Sequence, residues 1–152
     1  MASSPSTKEV ALAEESINVA RENIEAFNAG DWDRVKSTLA ADSVYDEVGT
    51  QRRIQGADQI IDAFKGWKQA MPDVKGTVTN ALASGNTATL QITWEGTQTG
   101  PLAGPGGTIP PSGKRQVTRA AFIATVEQGR IKDAYQYFDM MTLLQQLGAA
   151  PQ

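Results

Sequence analysis

The sequence has 152 residues, of which 40% are hydrophobic and 20% charged, and its net charge is −3. These values predict one globular domain with a single core, and the absence of a basic stripe argues against nucleic acid as a partner. The chain contains neither His nor Cys, which excludes histidine-dependent nucleophiles, the usual zinc sites and disulfides. Any catalysis must therefore use Asp, Glu, Tyr, Lys, Arg, Ser or a bound cofactor.

The N-terminal stretch "MASSPSTKEVALAEES" is small and polar and lacks the apolar core of a signal peptide. No later stretch is long and apolar enough to span a membrane, so we expect a cytoplasmic protein with no membrane partner. We predict a disordered lead-in over residues 1–12, a single domain over residues 13–148 and a tail over residues 149–152.

Helical periodicity dominates the first half of the chain. Apolar residues recur at three- and four-residue steps over residues 14–27, and Gly30 follows as a C-terminal stop. Asp31 is a suitable N-cap for a second, shorter helix. A third helix is predicted from about Asp58 to Met71, because Pro72 disfavours helical geometry in the residue before it. The segment between the second and third helices is typical of a short strand or turn pair.

After the third helix the hydrophobic period changes to two. "VKGTVTNALAS" and "TATLQITWEGTQT" flank Gly85-Asn86, which indicates a hairpin. The second of these strands alternates cleanly, and its apolar face also carries Gln98. The segment 100–114 is predicted to be a loop, and "QVTRAAFIATV" and "RIKDAYQYF" predict two further strands. Helices followed by a meander of about four long antiparallel strands predict an α+β fold with helices on one sheet face.

Four stretches carry a resemblance across most of residues 17–148. They are "FNAGDWDRVKSTLAADSVY", "IQGADQIIDAFKGWKQAMPDV", "WEGTQTGPLAG" with "PPSGK", and "GRIKDAYQYFDMMTLLQQLG". Together they resemble the SnoaL-like polyketide cyclase and ester cyclase family, which is related to nuclear transport factor 2, ketosteroid isomerase and limonene epoxide hydrolase. The resemblance implies a cone-shaped curved antiparallel sheet with three N-terminal helices (the cystatin-like or nuclear transport factor 2-like fold), a deep pocket and often a homodimer.

The resemblance also implies chemistry without metal or cofactor. In such cyclases an aspartate at the end of the last strand acts as acid/base in an aldol ring closure, and Asp139 occupies the corresponding position here. Members commonly have a histidine where this chain has Gln98. A glutamine can hydrogen-bond a substrate carbonyl but cannot shuttle a proton near neutral pH.

Two interpretations of Asp139 follow from its position between a strand and a terminal amphipathic stretch. If it shares the inward face with Tyr135 and Tyr137, burial would raise its pKa and make it a usable base. Alternatively, Asp139 is the N-cap of a helix that begins at Met140.

Two further charged positions are candidates. Asp46 and Glu47 are adjacent in a strand, so at most one of them points inward, and Tyr45 points opposite to Asp46. An inward Asp46 would supply a second acid, although such residues are more often solvated turn residues. Arg119 is on the same strand face as several apolar residues, so it is a candidate for an inward orientation. An inward arginine needs a negatively charged partner, which favours an ion pair with Asp139 or Asp46. Stabilisation of a substrate oxyanion is the alternative.

The leading functional hypothesis is a cofactor-independent enzyme that acts by acid/base chemistry on a hydrophobic carbonyl or polyketide-like compound. Asp139 and Asp46 would be catalytic, and Gln98 and Arg119 would orient the substrate. Aromatic side chains would hold it, although such residues are more often plain core: Trp32, Tyr45, Phe64, Trp67, Trp94, Tyr135 and Tyr137. The alternatives are a non-catalytic protein that uses the same pocket to bind a small molecule or to dimerise, and an epoxide hydrolase built on Asp139, Arg119 and Asp46.

Overall fold

The computed structural model describes residues 4–149. Within this range the α-helices are α1 (Thr7–Ala29), α2 (Trp32–Ser37), α3 (Ala57–Ala70) and α4 (Met140–Gln146). The strands are β1 (Leu39–Glu47), β2 (Arg52–Gln55), β3 (Lys75–Ser84), β4 (Thr87–Thr97), β5 (Leu102–Gly104), β6 (Gly107–Ile109), β7 (Arg115–Glu127) and β8 (Arg130–Phe138). A single 3-10 turn, Val48–Thr50, joins β1 to β2.

Six strands form one curved sheet in the order β2-β1-β8-β7-β4-β3. All neighbouring pairs are antiparallel except β1 and β8, which run parallel. The predicted α+β class with helices on a curved sheet is confirmed. The region 40–56, predicted as a short strand or turn pair, contains β2 and all of β1 except its first residue, Leu39. The predicted loop 100–114 contains the small β5–β6 hairpin.

The N-terminal helix begins earlier than the sequence pattern indicated. Ser6 caps α1 by accepting a hydrogen bond from the Glu9 amide at 3.1 Å, and the helix starts at Thr7. Residues 7–12, predicted to belong to the lead-in, are therefore helical. The apolar pattern missed them because the buried positions of α1 begin only at Ser16. The remainder of the lead-in before residue 4 and the tail after residue 149 lie outside the described residues.

The core lies between the inner face of the sheet and two helices. α1 packs across β3, β4 and β7, and α3 packs on β1. The inward residues of β4 alternate with outward threonines, as predicted, and Leu90 and Ile92 are completely or almost completely buried. Phe122 of β7 and Ile60 of α3 meet them in the same cluster. No helix within residues 4–149 carries an apolar stretch long enough to cross a membrane.

A side-chain amide joins α1 to the edge of the sheet. Asn28 donates from Nδ2 to the Gly76 carbonyl at 2.8 Å and accepts from the Gly76 amide at its Oδ1 at 2.9 Å. These are the two bonds that a neighbouring strand would make with β3. The contact satisfies backbone groups at the start of the edge strand and fixes the C-terminal end of α1 against it.

We predict that Asn28→Ala lowers the free energy of unfolding by about 1–3 kcal/mol, since it leaves both Gly76 groups without their partners. Urea denaturation monitored by circular dichroism measures this. Asn80→Ala on β3 is the control, because the exposed Asn80 side chain makes no hydrogen bond to any described residue. Equal effects of the two substitutions would contradict this assignment.

Candidate functional site

A cavity of about 70 Å³ opens between α1, α3 and the inner face of the sheet. Its wall is mostly aromatic and aliphatic, with polar groups contributed by the sheet. The lining residues are Asn23, Ile24, Phe27, Tyr45, Glu47, Phe64, Trp67, Met71, Val74, Trp94, Gln116, Thr118, Phe122, Gln136, Phe138 and Leu143.

Glu47 is the acidic residue in this wall, and its side chain is only 1% exposed. Its Oε1 accepts from Arg52 Nη2 at 2.7 Å and from the Thr50 hydroxyl. Its Oε2 accepts a single bond among the described residues, from Trp67 Nε1 at 3.0 Å. The carboxylate is thus held in one orientation, with one oxygen occupied by the ion pair and the other less heavily used.

Local backbone geometry explains how Glu47 obtains these partners. The alternation of β1 puts Tyr45 and Glu47 on the same inward face. The 3-10 turn then brings Thr50 back over the carboxylate, and the β1–β2 register places Arg52 directly opposite Glu47. A buried carboxylate needs such compensation, because removal from water without partners costs several kcal/mol.

A second polar chain crosses the same wall. Trp94 Nε1 donates to Gln136 Oε1 at 3.0 Å, and Gln136 Nε2 donates to the Tyr45 hydroxyl oxygen at 3.0 Å. Burial, followed by the negative charge of Glu47, raises the pKa of Tyr45 well above its ordinary value. Tyr45 therefore stays a protonated phenol at physiological pH. Gln136 and Glu47 are register neighbours on β8 and β1, so the two polar sets adjoin.

The far side of the cavity has a smaller polar pair. The Thr118 hydroxyl donates to Gln116 Oε1 at 2.6 Å, and Gln116 Nε2 contacts the sulfur of Met71 at 3.5 Å. Both polar residues are inward-facing positions of β7 and are almost fully buried. The cavity therefore has separated polar groups in an otherwise apolar wall.

The structure places Asp139 outside this cavity. Asp139 is exposed and caps α4, accepting from the Met141 amide at 3.1 Å and from the Thr142 hydroxyl at 2.7 Å. The Thr142 hydrogen bond is the main reason that the pKa of Asp139 is lowered. The predicted desolvated carboxylate with a raised pKa is wrong, and the alternative N-cap interpretation is confirmed.

Asp46 and Arg119 lie on the outer face of the sheet. Asp46 lines a shallow outer cleft with Arg53 and Lys132, while its neighbour Glu47 points inward. Arg119 is exposed, and none of the ion pairs within the described range includes it. The prediction that these two side chains face the pocket is therefore wrong, because both belong to the outward-facing residues that alternate with the inward-facing ones along their strands.

Gln98 is fully buried, but it lies beside the loop that follows β4 and not in the cavity. Its Nε2 lies within 3.1–3.2 Å of the carbonyl oxygens of Gly100, Ile109 and Pro110. The inward orientation predicted from strand alternation is confirmed. Its contacts fix the path of the loop, so the expected role in orienting a substrate has no support from its position.

The predicted aromatic residues divide into two groups. Tyr45, Phe64, Trp67 and Trp94 line the cavity, whereas three others do not: Trp32, Tyr135 and Tyr137. Trp32 packs edge-on against Phe27. Tyr135 and Tyr137 stack on each other on the outer face and are 38% and 46% exposed. Their predicted inward orientation is wrong.

Sequence reasoning missed Glu47 and Gln136 as central groups of the site. For Glu47 the signal was available, because it shares parity with the aromatic Tyr45 while Asp46 does not. For Gln136 the signal is obscured, because strict alternation from the buried Ile131 predicts that Tyr135 and Tyr137 face inward and that Gln136 faces outward. A register irregularity in the β7–β8 pair lies between Ile131 and Asp133, and it reverses the inward parity beyond it.

The sequence profile of the SnoaL-like polyketide cyclase family matches residues 17–147. This chain belongs to that family. The match covers both polar sets of the cavity wall and the α4 cap. No protein with curated function matches the sequence at a significant level.

Solved structures show the same fold for this SnoaL-like protein. A SnoaL-like protein from Jannaschia sp. CCS1 has 18% identity and a TM-score of 0.82, covering 99% of this chain and 100% of that one. A protein with a ketosteroid isomerase-like fold from Catenulispora acidiphila has 17% identity and a TM-score of 0.74, covering 88% and 93%. An LEH-like epoxide hydrolase from M. tuberculosis has 22% identity and a TM-score of 0.68, covering 90% and 95%. The predicted nuclear transport factor 2-like fold is confirmed.

The cap at Asp139 predicts a pH dependence of stability. Because folding lowers the pKa of Asp139, its contribution is present above the ordinary value of 3.8 and is lost as pH falls through the lower folded value. The difference in Tm between the SnoaL-like protein and its Asp139→Ala variant should therefore shrink as pH falls below about 4.

Thermal unfolding between pH 7 and pH 2.5 measures this difference. Asp139→Asn is the control, since asparagine caps a helix without titrating. The difference in Tm between the Asn and Ala variants should not follow the same decline. A gap between wild type and Asp139→Ala that stays constant down to pH 2.5 would rule out the assigned role of the carboxylate.

Proposed function

We propose that this SnoaL-like protein is a cofactor-independent enzyme that transfers protons on a hydrophobic carbonyl compound, with Glu47 as the base. The observation that carries the proposal is the placement of a buried carboxylate in a largely aromatic cavity. The Arg52 ion pair and the Thr50 hydroxyl occupy Oε1, whereas Oε2 accepts one bond among the described residues, from Trp67. This assignment replaces Asp139 and Asp46, which lie on the surface.

The reaction we infer begins with removal of a proton from the carbon next to a carbonyl group. The proton passes to Glu47 Oε2, the electron pair of the C–H bond forms a carbon–carbon double bond, and the π pair of the carbonyl group moves to its oxygen to give an enolate. Return of the proton to another carbon would make the reaction an isomerisation. Attack of the enolate carbon on a second carbonyl of the same molecule would close a ring, and Glu47 would deliver its proton to the new alkoxide.

The cavity wall supports a flat, neutral and largely apolar substrate. Phe64, Trp67 and Trp94 supply ring surfaces that bury apolar area. Neither lysine nor arginine contributes to the lining, so a free anionic group of a ligand would lack a cationic partner there. Exclusion of water around Glu47 would also strengthen its electrostatic interactions with a bound substrate.

A second candidate function is non-catalytic binding of the same class of compound. It is favoured by the number of donors on Glu47, because Arg52, Thr50 and Trp67 already occupy acceptor positions of the carboxylate. In that case Glu47 would accept a hydrogen bond from a ligand hydroxyl. Prolonged incubation distinguishes the two functions, because a binding protein returns the ligand chemically unchanged.

Epoxide hydrolysis by the predicted Asp139, Arg119 and Asp46 set is not supported by the geometry. Asp46 and Arg119 lie on the outer sheet face, and Asp139 caps α4. None of the three lines the cavity. The similarity to an LEH-like epoxide hydrolase therefore concerns the fold. The geometry gives no support to the hydrolase mechanism predicted from the sequence for these three residues.

We further propose that the protein forms a homodimer through the outer face of the sheet. Val117, Tyr135 and Tyr137 are between 38% and 46% exposed on this face. Ile123 and Ala121 are the partners of Tyr135 and Tyr137 in the β7–β8 register and present further apolar surface. A patch of neighbouring apolar side chains on a sheet is typical of a protein interface.

Glu47→Gln should reduce catalysed proton exchange about 10²- to 10⁴-fold, because it removes the base with little change in shape. The assay follows deuterium incorporation next to the carbonyl of enolisable aryl ketones, with 2-tetralone as the reference, by NMR in D₂O. The rate without protein is subtracted.

Asp139→Asn and Asp46→Asn serve as matched carboxylate controls and should retain the wild-type exchange rate. Circular dichroism establishes that each variant is folded. A folded Glu47→Gln protein that exchanges at the wild-type rate would contradict the role of Glu47, as would the absence of protein-dependent exchange across the ketone panel.

Tyr137→Lys should convert a dimer into a monomer, since it puts an unpaired charge into the proposed interface from both copies. Light scattering coupled to size-exclusion chromatography measures the mass. Gln69→Lys, at an exposed position of α3 on the other side of the sheet, is the control. A wild-type protein with the mass of one chain would refute the interface.

A further inference from the structure

The hydroxyl hydrogen of Tyr45 has a direction that the surrounding hydrogen bonds determine. Trp94 Nε1–H is a donor only, so the group that faces it must be an acceptor. Gln136 therefore turns its carbonyl oxygen, Oε1, toward Trp94 at 3.0 Å. The amide nitrogen of the same side chain necessarily faces the other way.

The nitrogen end of Gln136 faces the Tyr45 oxygen at 3.0 Å. Gln136 donates this bond, and Tyr45 accepts it. The phenol hydrogen of Tyr45 therefore cannot be donated to Gln136, and no other described residue accepts it. Because Tyr45 lines the cavity, the remaining direction for its O–H is into the cavity space.

The three residues are firmly positioned. Tyr45 and Gln136 are 4% and 7% exposed, and Tyr45 packs edge-on against Phe64 at a ring-centroid distance of 5.3 Å. The Trp94 ring packs edge-on against Phe27 at 5.3 Å. The polar chain runs in one direction, from the indole through the amide to the phenol.

We propose that the Trp94–Gln136–Tyr45 chain selects ligands that carry a carbonyl group, with Tyr45 donating the hydrogen bond to the carbonyl oxygen and Gln136 and Trp94 acting as positioning residues. The inference deepens the proposed function, on which it rests, by assigning the group that recognises the carbonyl oxygen. Tyr45 and Glu47 lie two residues apart on one strand face, about 7 Å between Cα atoms. A carbonyl oxygen at Tyr45 would thus leave the adjacent carbon within the part of the cavity that Glu47 lines.

Recognition can be measured without turnover by comparing two ligands that differ only in the carbonyl group. The probes are 2-tetralone and tetralin, and the measured quantity is the ratio of their Kd values at equilibrium. One hydrogen bond of ordinary strength predicts about a tenfold preference of the wild-type protein for the ketone. Tyr45→Phe should reduce this preference to near unity while preserving the ring.

The positioning role requires a more specific set of variants. Trp94→Phe removes the N–H that orients the Gln136 amide, so the amide can turn and accept the Tyr45 O–H. The ketone preference should then fall toward that of Tyr45→Phe. In a protein that already carries Tyr45→Phe, the Trp94→Phe change should have no further effect on the ratio.

Adding Gln136→Leu to Trp94→Phe provides the decisive comparison. Leucine offers no acceptor, so the Tyr45 O–H is again available to the ligand and the ketone preference should recover. A purely structural role predicts instead that loss of a second hydrogen bond lowers binding of both probes without restoring the ratio. Equal affinity of the wild-type protein for the two probes, no saturable binding of the ketone, or no recovery in the double variant would each overturn the proposal.

The outcome is separable from that of the proposed function. Asp46→Asn, on the outer face of the sheet, should leave the ketone preference unchanged. Ketone preference without exchange activity would refute the enzyme while supporting the inference. Glu47-dependent exchange, together with a ketone preference that Tyr45→Phe does not change, would support the enzyme and overturn the role of Tyr45.

Discussion

The arrangement of the cavity wall depends on the burial of Glu47. A carboxylate that is 1% exposed is tolerated only with charge compensation and hydrogen bonds. Arg52, Thr50 and Trp67 supply these from β2, the 3-10 turn and α3. The end of β1, the turn after it and the position of α3 over the sheet are consequently tied to one side chain. Loss of any one donor would leave part of a buried charge without a partner.

Close backbone approaches allow the aromatic rings to complete this wall. A Cβ atom at Gly76 would lie 2.6 Å from the Trp94 ring, and one at Gly49 would lie 2.5 Å from the ring of Phe138. The space in which Trp94 reaches Gln136, and in which Phe138 packs against Trp67, exists because these two positions lack side chains. The polar chain and the aromatic wall are thus parts of one packing arrangement, in which satisfied hydrogen bonds also specify the rotamers of large side chains.

Regular alternation made much of the fold predictable from sequence, and departures from it account for the errors in the site. Along β4 the inward face was assigned correctly, because the strand pairs with β7 without a shift from Thr87 to Thr97. Along β8 the irregularity beyond Ile131 exchanged the two faces, so that Tyr137 points outward. A single additional residue suffices for this, since the side-chain period of a strand is two.

β7 presented a different difficulty, because hydrophobicity does not distinguish its two faces. The outward set around Arg119 includes Val117 and Ile123, whereas the inward set includes the polar Gln116 and Thr118. Around Arg119 this local pattern favours the wrong face, because the buried Phe122 and Val126 that mark the inward face lie further along the strand. Polar residues such as Gln116 and Thr118 on the inner face of a sheet are expected where the core contains a cavity.

The parallel pairing of β1 with β8 explains how the proposed base can come from the first strand when the resemblance indicated the last. Glu47 lies opposite Gln136 in this register, and Asp139 lies only three residues beyond Gln136 along the chain. Two adjacent strands therefore offer carboxylate positions at nearly the same place in the sheet. After the last strand, Asp139 is the N-cap of α4. Its carboxylate accepts hydrogen bonds from Met141 and Thr142 and is exposed to solvent. With the cap in place, the neighbouring strand is the element that carries a carboxylate into the cavity. The acid/base group of such a fold is better sought by asking which carboxylate the sheet buries than by its position in the sequence.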